Sequence, residues 1–302
     1  MNAPLRTIAL LTATLLTACT STEDKVNDLL ERHMNAFVFV EGGSFMMGNP
    51  GLGWALGADS YPAHKVTLDS FSIQKYEVTQ GDMDLFMEVT GYVSTYENYD
   101  RKRDNNPDRF IDELPAAVTW GDARSFCQWL GSLNNSTIDL PTEAQWEYAA
   151  RSRGQMYRFA TDTGEAIEGV NMAKAAQKGI FDRNAFPLAP ASFPPNPLGL
   201  YDMSGNAAEW VLDNYQPDYY KHSPEHNPQG PKTAKVSKRD GENTYHFKIT
   251  RGGRFYDFWG NTTVSRLESV ATLIGLDDGF RCVKKNSTSV TPALNKIHLN
   301  KP

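Results

Sequence analysis

Four positions near the middle of the chain have the types and spacing to hold a hard cation. Asp202 and Glu209 are carboxylates seven residues apart, and Gly205 between them permits a tight turn that presents backbone oxygens such as that of Ala207. Calcium takes six to eight oxygen ligands in mixed sets of this kind. The competing reading is that Asp202 and Glu209 cap turns or pair with arginines. Other chemistry is thinly represented. The 6 histidines, His64, His222 and His246 among them, are isolated, and no thiolate or imidazole cluster suits zinc. No Ser-His-Asp set, phosphate loop or acid–base pair of carboxylates stands out.

Such residues need a folded support. At 302 residues the chain makes one large domain or two small ones, and 40% apolar residues with 15 Phe, 13 Tyr and 6 Trp are ample for a core. The net charge of -6, with Lys and Arg scattered, argues against a nucleic-acid face. The N-terminus reads as an address: Arg6, an apolar run over 8–18 too short to span a membrane, then Leu16-Thr17-Ala18-Cys19. That ending resembles a bacterial lipobox, in which the cysteine is lipidated and becomes the new N-terminus. Thr20 after it favours the outer membrane over retention. The expectation is a signal peptide at 1–18 and a chain anchored through Cys19 in the cell envelope, facing the periplasm, with the lipid as its only hold on the membrane. An ordinary secretory signal with a chance cysteine is the alternative. Without Cys19, Cys127 and Cys282 are the two cysteines of an exported chain. A bridge between them would contribute roughly 4–5 kcal/mol by loop entropy; two separate buried thiols are the other reading.

Residues 19–35 read as a polar tether with one helical turn, and order is expected from Phe37. The β-rich run 37–40, the Glu41-Gly42-Gly43 turn and Met46-Met47 predict a hairpin, and Val66, Leu68 and Phe71 alternate as a strand does. Three helices carry their own start signals: Thr79 with Gly91 as a C-cap, Thr119 with Asp122, and Thr142 with Gln145 after Pro141. In the second, Ala123, Phe126, Cys127 and Leu130 share one face, which buries Cys127. Beyond residue 151 helical periodicity fades, and Pro187, Pro190, Pro194, Pro195 and Pro197 break any long element. A stretch so irregular needs a metal, a ligand or both to fix it. The segment 218–243 reads as an exposed insertion and 286–302 as a weakly ordered tail.

Successive segments then carry a resemblance. They are Gly42-Gly43-Ser44-Phe45-Met46-Met47-Gly48, Lys75-Tyr76-Glu77-Val78-Thr79, Leu140-Pro141-Thr142-Glu143-Ala144-Gln145-Trp146-Glu147-Tyr148-Ala149, Gly199-Leu200-Tyr201-Asp202-Met203-Ser204-Gly205-Asn206-Ala207-Ala208-Glu209-Trp210, Arg251-Gly252-Gly253 and Gly279-Phe280-Arg281-Cys282. In this order they resemble the signatures of the formylglycine-generating enzyme (sulfatase-modifying factor) family. The resemblance implies an α+β domain over 36–285, a variant of the C-type-lectin-like fold low in regular structure. It also implies a Cys127–Cys282 disulfide. For calcium it implies ligands at Asp202, Gly205, Ala207 and Glu209, and a second site on the side chains of Asn171 and Asp182 with the carbonyls of Met172 and Asn184.

The family oxidises a client cysteine with two cysteines of its own that hold copper(I), the metal soft thiolates favour. Both fall between the Gly-Gly pair and Gly-Phe-Arg-Cys. Here the interval 254–281 contains no cysteine, so copper and formylglycine chemistry are not expected. In relatives this segment lines the substrate groove, which places Arg254, Asp257, Trp259, Arg266 and Glu268 as candidate peptide-binding residues. The plainer reading makes Arg266 and Glu268 a surface ion pair and Trp259 core. The expected function is a lipid-anchored, non-oxidase protein that binds a protein or peptide partner in the envelope, as an accessory of a secretion or assembly system. The alternative is a cysteine-independent enzyme of the same family, of the kind that serves siderophore maturation. No nucleic-acid partner is expected.

Overall fold

The computed structural model describes residues 21–55, 57–173, 187–239, 243–256 and 260–286. Its helices are α1 (Thr22–Asn35), α2 (Gln80–Thr90), α3 (Tyr99–Asp104), α4 (Trp120–Leu133) and α5 (Glu143–Ala150). Its strands are β1 (Phe37–Val40), β2 (Gly43–Met47), β3 (His64–Leu68), β4 (Phe71–Gln74), β5 (Ile138–Asp139), β6 (Ala208–Asn214), β7 (Val236–Arg239), β8 (Asn243–Arg251), β9 (Leu267–Val270), β10 (Asp278–Gly279) and β11 (Val283–Lys285). Helices and mostly antiparallel strands mix as an α+β fold does.

The three predicted caps are in place. Thr79 Oγ1 accepts the Asp82 N–H and Gly91 closes α2 with φ 67°. Thr119 with Asp122, and Thr142 with Gln145, form reciprocal capping boxes at α4 and α5. A fourth box was hidden. Residues 22–35 are not a tether: Ser21 and Asp24 cap a 14-residue helix. Charged residues dominate its composition, but Val26, Leu29, Leu30 and His33 fall at i, i+3, i+4 and i+7 and are buried. Leu29 and Leu30 pack with Phe86, Phe126 and Leu130 in the core of α2 and α4.

The predicted hairpin of 37–47 does not form. β1 pairs with β4 and β2 pairs with β3, so the chain crosses between sheets at Gly42. A Cβ on Gly42 would overlap the backbone at Leu68 and Asp69, which explains the residue. The four-stranded sheet runs β1-β4-β11-β5, and the larger sheet runs β10-β6-β8-β7 with β9 also on β8. β11 thus arrives from the far end of the sequence to sit between β4 and β5. Beside it Cys282 bonds to Cys127 of α4, with 5.6 Å between Cα atoms across 155 residues.

The irregular stretch is held by polar side chains acting on backbone. Asn196 donates to the carbonyls of Ala149 and Ala150 at the end of α5, and accepts from Leu198 and Leu200 N–H. Leu200 and Met203 are buried beneath it. The described residues of 218–239 are mostly exposed, as expected, but are tied to the domain: Tyr220 is buried, His226 bridges Thr67, and β7 joins β8. Of the expected tail, Asn286 accepts from Ser72 Oγ, and the rest lies outside the described residues. Among the described residues no helix is long and apolar enough to cross a membrane.

Candidate functional site

The turn between Leu200 and β6 has the shape the cation reading requires. Asp202, Gly205 and Asn206 all adopt positive φ (58°, 96° and 62°), which coils the backbone back on itself. Asp202 and Glu209 are joined there by a third carboxylate that sequence reasoning missed. Glu77, at the end of the run after β4, is buried against the turn. Its Oε1 accepts the Ala207 N–H at 3.1 Å and its Oε2 accepts from Asn206 Nδ2 at 2.6 Å. Glu209 is held by Arg281 through Nε (2.8 Å) and Nη2 (2.6 Å), and also accepts from Trp146 Nε1. For Glu209, arginine pairing is therefore a fact of the structure.

Three carboxylates around one paired guanidinium leave negative charge in excess, and the titration behaviour reflects it. Burial raises the Glu77 carboxyl well above its usual range, and Asp202 and Glu209 add to the effect. Burial likewise pushes Asp202 up to about 6, against the pull of the Ala191 N–H and Arg281. A cation here would relieve that excess, so the residues fit one on charge. Among the described residues no group of three or more His, Cys, Asp or Glu side chains forms a ready cage. The carbonyls of Gly205 and Ala207 would have to complete the shell with Asp202 and Glu209.

Asp202 and Asn206 line one small cavity together with Asn171 and Met172. The described part of the second expected site, Asn171 and Met172, thus neighbours the first. Asn171, however, is engaged in its own turn: Oδ1 accepts the Ile167 N–H, Nδ2 donates to Asp162, and the Met172 carbonyl accepts the Gly169 N–H. Asp182 and Asn184 lie outside the described residues, as do Asp257, Trp259 and Cys19.

The arginines at 254 and 266 in the segment after Gly253 are both held in ion pairs. Arg266 is fully buried and clamps Glu143 through Nε (2.7 Å) and Nη2 (3.1 Å), over the ring of Tyr220. Glu268 pairs with Lys235, so the Arg266–Glu268 pair of the plainer reading does not form. Arg266 precedes β9 and is buried, whereas Glu268 lies within β9 and is exposed. Arg251 joins the buried set, reaching Glu143 (2.7 Å) and Glu147 (2.9 Å). Arg254 is one-quarter exposed and pairs with Asp277 and Asp278, while the Tyr256 hydroxyl donates to Asp277. Burial pushes Asp278 up to about 6 despite Arg254.

An open cleft of about 640 Å³ lies beside Glu77. One wall is the end of α1 with Arg32 and His33; the floor is Glu77 with Tyr76; the far wall is the strap Ala189-Pro190-Ala191. Gln74 accepts the Cys282 N–H on Oε1, so its amide nitrogen faces His33 Nδ1 at 2.7 Å. The Nε2–H of His33 is thereby left to donate to Asp82, which Arg32 also binds. Burial works to raise Asp82, but His33 and Arg32 overcome it and hold the carboxyl well below the usual range. The strap is pinned to the turn at 202–206 by three hydrogen bonds. Leu188 exchanges two hydrogen bonds with the Asn206 side chain, and the Ala191 N–H donates to Asp202.

Comparison with known proteins agrees with this architecture. A protein from Chlamydia caviae named serine/threonine-protein kinase pkn1 is 29% identical over 262 residues, but the chain spans only 37% of its length. A formylglycine-generating enzyme of Streptomyces coelicolor is 26% identical, covering 81% of this chain and 88% of that one. The inactive C-alpha-formylglycine-generating enzyme 2 of mouse is 31% identical over 60% of this chain and 70% of its own. In three dimensions PvdO from Pseudomonas aeruginosa superposes with a TM-score of 0.62 at 24% identity, covering 83% of this chain and 94% of that one, and so shares the fold. The model of the sulfatase-modifying factor enzyme 1-like domain matches residues 23–286. With nearly all of helix α1, all three sheets and the turn at Asp202 inside that match, the chain belongs to the sulfatase-modifying factor family.

Proposed function

We propose that this is a lipid-anchored envelope protein whose sulfatase-modifying-factor domain binds a protein or peptide partner and does not oxidise cysteine. One observation carries the reading. The interval 254–281 has no cysteine, and its arginines at 254 and 266 are engaged in internal ion pairs. Oxygen ligands do not replace the thiolates that copper(I) requires. The mouse relative whose name marks it as inactive supports a scaffold that persists without the oxidase. Calcium at Asp202 and Glu209, with the Gly205 and Ala207 carbonyls, belongs to the same proposal as a structural cation. The anchor rests on Cys19, and the role we assign is that of an accessory to a secretion or assembly system.

Three measurements test it. Supplied with copper(I) and a sulfatase-derived cysteine peptide, the purified chain yields no aldehyde; aldehyde formation overturns the non-oxidase reading. Cells expressing Cys19→Ala release the protein from the membrane fraction, and retention there overturns the anchor. Crosslinking in the envelope traps a defined partner. A second reading, a cysteine-independent enzyme, is favoured by one cluster: a phenol, a guanidinium and two carboxylates meet at Tyr256, Arg254, Asp277 and Asp278. A Tyr256→Phe chain that changes a cell metabolite while still trapping its partner selects that reading.

A further inference from the structure

The turn that follows α5 is shaped by three successive residues of positive φ, Ser152 (46°), Arg153 (69°) and Gly154 (75°). They send the chain back toward the helix end, and the reversal is closed from both sides. The Gln155 N–H donates to the Arg151 carbonyl, and Arg151 Nε donates to the Gln155 carbonyl. A Cβ at Gly154 would overlap Phe45, so the turn lies directly on β2. Met156 is thereby carried over the guanidinium of Arg151. That group is buried, and its Nη1 is satisfied by the Met46 carbonyl at 2.8 Å and Glu147 at 3.0 Å. Its Nη2 donates to a much weaker acceptor, the Met156 thioether, at 3.5 Å. Met156 is 56% exposed, which leaves that sulfur within reach of small solutes. Met46 is comparably exposed at 50%, whereas Met47, Met83, Met172 and Met203 are buried.

We propose that Met156 is a modification site for hydrogen peroxide and that Arg151 holds the sulfoxide it forms, independently of any anchor or partner. A sulfur lone pair attacks one peroxide oxygen and the O–O bond breaks. The departing hydroxide takes the proton of the transferred oxygen and leaves as water, so the thioether is oxidised and the peroxide is reduced. The new oxygen is a far stronger acceptor than the sulfur, and its donor is a guanidinium, so the bond to Nη2 is charge-assisted. A hydrogen bond of about 2.9 Å to that oxygen leaves the sulfur close to its present place, and the unbranched side chain can swing the oxygen toward Nη2. In a core a sulfoxide disrupts packing. Here it fastens the 152–156 turn to the buried set of Arg151, Glu147 and Arg251. Met46 is a control within the same surface, because it brings its backbone carbonyl to Arg151. Enzymatic sulfoxide reduction is the reaction class that consumes this product and resets the site.

The test uses the full chain carrying Cys19→Ser, which with the Cys127–Cys282 bond formed has no free thiol to compete for peroxide. Peptide mapping by mass spectrometry during a peroxide time course is expected to show Met156 and Met46 oxidised at least about tenfold faster than the buried methionines. In a Met46→Leu chain, conversion of Met156 should raise the melting temperature by about 2 °C, and methionine sulfoxide reductase should return it. Hydrogen exchange at the Arg151 guanidinium, followed by NMR, should slow on the same conversion. In a Met156→Leu chain, oxidation of Met46 should leave both readouts unchanged. Met156→Gln, whose amide oxygen stands in for that of the sulfoxide, should melt above Met156→Leu without any peroxide. The substituted positions are exposed, so these variants fold. Oxidation of Met156 no faster than of the buried methionines overturns the modification site. A melting temperature that stays level or falls on oxidation, or unaltered exchange at Arg151, overturns the hold on the sulfoxide.

Discussion

Glu143 and Glu147 stand in the run 140–149 that helps to carry the family resemblance, and both are internal. Glu143 receives Arg251 and Arg266, and Glu147 receives Arg251, Arg151 and the Gly48 N–H. Buried charges survive only when matched in this way, and removal of one partner is strongly destabilising. Asp213 is the exception in the network. It accepts the Glu143 N–H, has Lys248 and Arg266 nearby, and is pushed up to about 7 by burial and by the Glu143 charge. The sign follows from linkage. The folded chain binds this proton more tightly than the unfolded chain, so stability falls as pH rises from about 4 to about 7. Asp213→Asn, which keeps the acceptor for Glu143, should flatten that part of the stability curve. Melting temperatures at pH 5 and pH 8 check it; an unchanged slope would show that Asp213 titrates normally.

Two elements decide how the cleft is built. Helix α1 supplies one wall, and it stays on the domain through Val26, Leu29 and Leu30. Leu30→Ala should cost about 2–4 kcal/mol, as a truncated core leucine does, read from urea unfolding. A loss below half a kilocalorie would mean the helix is detached in solution. The strap 188–191 supplies the other wall and has no regular structure, only its bonds to Asn206 and Asp202. If a cation sits at Asp202, chelation should lower the melting temperature and speed amide exchange at Leu188 and Ala191, with exchange in α4 unaffected. Identical exchange with and without chelator would remove the cation from the fold.

Over the whole molecule, the Cys127–Cys282 bond joins α4 to the residue that leads into β11, an inner strand of the four-stranded sheet. Its reduction should cost about 2–5 kcal/mol. Equal urea midpoints with and without reductant would overturn that contribution. Much of this plan was legible in the residues alone. Thr79, Thr119 and Thr142 announce their helices because a cap and its acceptor lie within three residues of each other. The missing copper ligands are also a matter of composition, since no fold can place a cysteine where the interval 254–281 has none. Helix α1 was obscured by its charged face, and the hairpin failed because Gly42 leads the chain into a second sheet. What the tertiary structure alone decided is which charges meet. Glu77 reaches Asn206 across 129 residues, Arg266 reaches Glu143 across 123, and the cleft is assembled from α1, β4 and the strap. Local signals depend on neighbours a turn away, whereas the partner of a buried charge is set by whichever distant group packing brings within about 3 Å of it.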